Sequence, residues 1–130
     1  MVIRSGAGKA ASVILVYFAA LLSGIFTGLL IDVGAGYLLT GTLLLLGIYA
    51  LTRFFRGGNE SDEPREWWRM TAYPLAGYVL AVWFAAQAVS MALVPPVSSL
   101  SMAGTAIMLV IAIGYVNSSA KLSARQRASS

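Results

Sequence analysis

Residues 10–30 read AASVILVYFAALLSGIFTGLL, with no charged side chain in the run. A helix needs about 20 mostly apolar residues to cross the hydrocarbon core of a bilayer, so this stretch reads as a membrane span. Three more runs of the same kind follow, from about Tyr37 to Thr52 (extended by Gly34 and Phe55), from Thr71 to Val94, and from Ser98 to Val116. An open strand edge cannot stay unpaired in lipid, and the runs are too long and too uniformly apolar for barrel strands. The expected fold is therefore an all-α membrane protein with helices at about 10–30, 34–55, 71–94 and 98–117. A loop at 56–70 and a basic tail at 118–130 complete a single domain of residues 1–130.

The composition agrees. Hydrophobic residues make up 58% of the chain and charged residues 11%, whereas a soluble domain has about 25% charged residues. Cysteine and histidine are both absent. That removes thiolate nucleophiles, the usual zinc and haem ligands and the commonest general base. No cofactor and no enzymatic activity are expected. The net charge of +4 does not indicate nucleic acid, because the basic residues form no patch with interleaved aromatics.

Their placement has a membrane explanation. Arg4 and Lys9 precede the first span, Arg53, Arg56, Arg65 and Arg69 lie around the loop between the second and third, and Lys121, Arg125 and Arg127 follow the fourth. All nine basic residues thus fall on one side, and the positive-inside rule puts both termini and the central loop in the cytoplasm. The expected location is the plasma (inner) membrane of a prokaryote. On the other side, IDVGAG (31–36) and PPVSSLS (95–101) are short turns, with Pro95 and Pro96 ending the third helix. Spans joined so closely should pack as two antiparallel hairpins. The apolar stretch near the start is longer than a signal-peptide core, and FAALLSG is a poor cleavage site, so retention of this segment is expected.

The pentapeptide VYFAA at 16–20 returns as VWFAA at 82–86, and the same shift of 66 residues places Val13 on Val79, Leu43 on Leu109 and Tyr49 on Tyr115. Chance matches between apolar segments compete with duplication. If the repeat is real, both units start on the same side, which makes it a parallel repeat about an axis along the membrane normal.

Helix association in lipid relies on close approach at small residues. GIFTG sets Gly24 and Gly28 on one face of the first helix, and Ala81 and Ala85 have similar spacing in the third. These are packing positions, either within the bundle or at a dimer face. Trp67 and Trp68 sit at the expected headgroup level. Together with Arg53, Arg56, Arg69, Lys121 and Arg125 they are expected to anchor the chain at the interface.

Ionisable groups inside the bilayer are the usual marks of transport or proton relay, and the spans contain none. Asp32 belongs to a turn. A small cation-coupled drug exporter would be expected to carry a carboxylate within a helix, and this chain departs from that pattern. Gln87 is the most polar side chain near a helix centre, and its amide needs a partner; Ser23, Thr27 or a neighbouring carbonyl are the candidates. In the loop, Glu60, Asp62 and Glu63 form an acidic cluster beside Gly57, Gly58 and Pro64. With no rigid frame evident, that cluster reads as a solvated linker.

Two functions fit best. The first is a non-catalytic accessory or assembly subunit of a larger membrane complex. The second is a self-associating channel or transporter with a polar pathway near Gln87. The expected partners are lipid and either a larger membrane protein or further copies of the chain. In hydropathy the two-hairpin outline resembles the small four-helix membrane subunit of tripartite tricarboxylate transporters. That resemblance implies a partner with many more helices and an extracytoplasmic solute-binding protein, and it assigns no residue here to a solute.

Overall fold

A computed structural model describes residues 2–93 and 99–129. It is all-helical, with α1 at Gly6–Leu30, α2 at Val33–Phe54, α3 at Pro74–Leu93 and α4 at Ser99–Ser129. Each helix is long and apolar enough to cross a membrane. The expected stop at Pro95 and Pro96 lies outside the described residues.

Local chemistry sets the helix ends. Ser5 caps α1 by accepting from the Gly8 N–H at 3.0 Å, which starts the helix before the charge-free run begins. Asp32 caps α2 through an Oδ2 that accepts from the Ala35 N–H at 3.1 Å. Helix α3 begins at Pro74, later than the expected Thr71, because proline at a first helical position lacks only an N–H that would be unpaired anyway. Helix α4 runs on to Ser129, well beyond the end of its apolar run. Its extension is not a loose tail, because Ser118, Ser119 and Leu122 are buried along one face.

The helices stand in the contact order α1, α2, α4, α3. Along α1 and α2, Gly28 meets Val33, Gly24 meets Thr40, Val16 meets Gly47 and Lys9 lies over Phe55, so contacts climb one helix as they descend the other. Two glycines allow close approaches of one helix to the backbone of another. A Cβ on Gly36 would stand 2.5 Å from the Gly24 carbonyl oxygen, and one on Gly104 would stand 2.9 Å from that of Tyr37. Only hydrogen fits at either place. Leu44, Ile48, Ala81, Phe84, Ala88, Met108, Ile111, Ala112 and Tyr115 fill the core, with Ala20 the one fully buried apolar side chain from α1. The outer faces carry large apolar side chains such as Leu15, Phe18 and Leu29.

The segment between α2 and α3 is solvated as expected, with Asn59, Ser61, Asp62, Glu63 and Pro64 exposed, but it has a frame that the sequence did not show. Arg65 grips both Glu60 oxygens at 2.7 Å, and the same carboxylate accepts from the Gly57 N–H at 2.9 Å. Arg4 donates to the Gly57 carbonyl at 2.5 Å, to the Glu60 carbonyl at 2.6 Å and to Asp62. Ile3 adds a two-bond bridge to this segment, donating to the Phe54 carbonyl at 2.8 Å and accepting from the Arg56 N–H at 3.0 Å. Guanidinium groups that clip backbone carbonyls give this loop a frame that helix or strand hydrogen bonds do not supply.

Candidate functional site

Helices α1 and α3 approach each other only through side chains. Between them lie two cavities, an outer one of about 840 Å³ towards the Leu30 end and an inner one of about 360 Å³ towards the loop. Tyr17 and Trp83 line both, and so form the partition. The Tyr17 hydroxyl accepts from Trp83 Nε1 and from Gln87 Nε2, each at 3.1 Å. Below that node the rings of Tyr17, Phe84 and Tyr115 stack, with centroids 6.5 and 5.8 Å apart.

The expected site residues separate into three places. Gln87 lines the outer cavity, but its partner is Tyr17. Ser23 and Thr27, the partners expected from sequence, make no hydrogen bond to it among the described residues; they lie further along α1 than Tyr17, towards Leu30. Gly24 and Gly28 pack against α2 within this chain, which uses them inside the bundle. Ala81 is buried in the core and Ala85 packs against it.

The interface group divides as well. Lys121 lies over Trp67 and Trp68, at 5.6 and 5.1 Å from the ring centroids, and Arg125 lies 4.9 Å from Trp68. Arg125 also pairs with Glu66 at 2.8 Å. Arg56, however, is 2% exposed and donates to the carbonyls of Arg53, Phe55 and Glu63, so it cannot serve as a headgroup anchor. Arg53 likewise turns inward, to the carbonyls of Arg65, Glu66 and Arg69. Arg69 spans the carbonyls of Thr71 and Ala72 and lies 3.7 Å from Glu60. Their backbone acceptors are invisible to residue-type patterns.

Burial alone would raise the Glu60 pKa. The Arg65 hydrogen bonds, the Gly57 N–H and the charges of Arg65 and Arg69 outweigh it and hold the carboxyl at about 2. It is thus a fixed anion inside the loop, without the near-neutral pKa a general acid or base needs. No group of three metal-ligating acidic side chains converges among the described residues.

Sequence reading overlooked Tyr17 and Trp83 as site residues, although the repeated pentapeptide contained both. The shift of 66 residues superposes them, and they are hydrogen-bonded to each other. Phe18 and Phe84, superposed by the same shift, have different environments, at 62% and 1% exposed.

The fold defines a class: an all-helical chain with four helices fit to cross a membrane. Comparison with protein-family models, curated proteins and solved structures finds no match.

Proposed function

We propose that this protein is a non-catalytic accessory or assembly subunit of a larger membrane complex. In this reading the four helices form two antiparallel hairpins in a prokaryotic plasma membrane, with both termini and the central loop in the cytoplasm. The observation that carries it is the unsealed side of the bundle: α1 packs along α2, α3 packs along α4, and only side chains cross between α1 and α3. Weak cohesion along one seam suits a chain completed by a neighbour. The absence of Asp, Glu, Lys, Arg and His from the middle of the spans supports a role outside catalysis and proton coupling.

A specific observation favours a second reading, a small self-associating transporter. Two cavities meet at one partition of Tyr17, Trp83 and Gln87, and parting α1 from α3 would join them. The paired hairpins would then act as a parallel repeat, with the partition on its axis.

Native mass spectrometry of the tagged chain, extracted gently at natural expression, separates the readings. A stoichiometric larger partner, cross-linked through a photoreactive residue at Leu21 or Ala86, is the expected result. A homo-oligomer with no partner overturns the subunit reading, and flux in liposomes abolished by Gln87→Leu with assembly intact would establish the second.

A further inference from the structure

The inner cavity presents one cation without an ion pair and one hydroxyl without a hydrogen bond among the described residues. Lys9 stands at its rim with its ammonium 5.9 Å from the centroid of Phe55, and it forms no ion pair among the described residues. Tyr115 lines the cavity while 4% exposed, and no hydrogen bond among the described residues reaches its hydroxyl. Buried phenol groups nearly always find a partner, so an O–H donor left open on a cavity wall calls for an acceptor inside it. Arg65, the other cation in the wall, is already engaged by Glu60 and by the carbonyls of Thr52 and Met70. Its charge is spent within the loop, so Lys9 is the cation free to meet an anion. The remaining wall is mostly apolar, with Val13, Leu80 and Phe84 among its residues beside Thr52 and Thr71. A volume of about 360 Å³ falls in the range of about 300–1,000 Å³ typical of ligand sites.

We propose that this cavity is a binding site for an anionic ester phospholipid. Its phosphate sits on Lys9, an ester carbonyl accepts from Tyr115, and the start of an acyl chain lies against Val13, Leu80 and Phe84. The cavity adjoins the end of the molecule where the basic residues gather, the level at which such headgroups would lie. A zwitterionic headgroup carries its own cation beside the phosphate, which competes with Lys9 for it, and a bare inorganic anion would leave the apolar wall empty. The inference concerns this chain alone and does not depend on either functional reading.

The test is native mass spectrometry and thermal melting of the purified full chain in detergent, titrated with phosphatidylglycerol, with phosphatidylcholine of the same chains, and with inorganic phosphate. The expected result is one phosphatidylglycerol retained in preference to phosphatidylcholine. Lys9→Gln and Tyr115→Phe should each weaken retention about fivefold, the loss of one polar contact. Tyr115→Phe keeps the ring stack and removes a hydroxyl without a protein partner, so the lipid-free melting temperature should not change. Arg127→Gln, exposed in the tail and outside the cavity lining, should leave retention unchanged. Leu80→Trp, which fills the cavity, should exclude the lipid and so gives a second route to the answer should Tyr115→Phe fold poorly. Equal retention of the two lipids, no effect of Lys9→Gln, an equal effect of Arg127→Gln, or displacement by inorganic phosphate would each overturn the proposal.

Discussion

At the scale of single residues, two polar groups show how differently this chain treats its few hydrophilic atoms. The Tyr17 hydroxyl is shared by Trp83 and Gln87, and such contacts in membrane proteins contribute about 0.6 kcal/mol on average. A double-mutant cycle of Tyr17→Phe and Gln87→Leu, read by unfolding in mixed micelles, should return a coupling of about 0.5–2 kcal/mol. Additive effects would mean that the two do not act as a pair. Glu60 behaves as a salt-bridged anion whose pKa is lowered from 4.5 to about 2. Since the folded value lies below the ordinary one, its stabilisation is complete above the ordinary value. It is lost as pH falls from about 4.5 towards about 2. Amide exchange across residues 57–70 should therefore accelerate in that window, and Glu60→Gln should produce the same acceleration at neutral pH. Unchanged protection in the variant would remove Glu60 from the frame of the loop.

At the scale of elements, helix positions were largely legible in sequence because lipid demands long charge-free runs and leaves little else for the residues to encode. The start of α3 and the length of α4 were not. Pro74 moved the first, and a buried stripe of Ser118, Ser119 and Leu122 extended the second. That stripe meets the loop, where the Met70 N–H donates to Ser118 Oγ at 2.9 Å. Ser118→Ala should expose this donor and destabilise the loop by about 1–3 kcal/mol, measured as faster exchange at Met70. The frame of the loop was missed because it joins residues far apart in sequence, Arg4 to Gly57 and Arg53 to Arg69, and local composition carries no trace of such pairs. Small residues give a clearer signal. Gly36→Ala would push a methyl group to 2.5 Å from the Gly24 carbonyl, and overpacking of this kind costs about 1–3 kcal/mol. Gly58, with open space around it, should accept alanine without loss. Thermal melts of the two variants make the comparison.

At the scale of the whole molecule, the candidate site came from the meeting of α1 and α3, which no window of sequence contains. Gln87 was legible as a polar anomaly; its partner depended on how α1 and α3 lean together. Sidedness is open to a direct measurement, because the chain has no native cysteine. Single cysteines at Asn59, in the loop, and at Ile31, in the turn and 79% exposed, should react with impermeant reagents from opposite faces of the membrane. Asn59 should be labelled from the cytoplasm. Labelling of both from one face would refute the four-span topology.

The clasp formed by Ile3 and Arg4 has a consequence for the order of events in the cell. Arg4 finds its acceptors 53 to 58 residues further along the chain. A growing polypeptide has therefore already threaded α1 and α2 into the bilayer before the ribosome delivers the residues that fasten its beginning. Until then the first helix pair is held by the contacts between α1 and α2 themselves. Fastening comes as a late step, and a bulky fusion ahead of Ile3 would obstruct it while leaving insertion of the first two helices untouched.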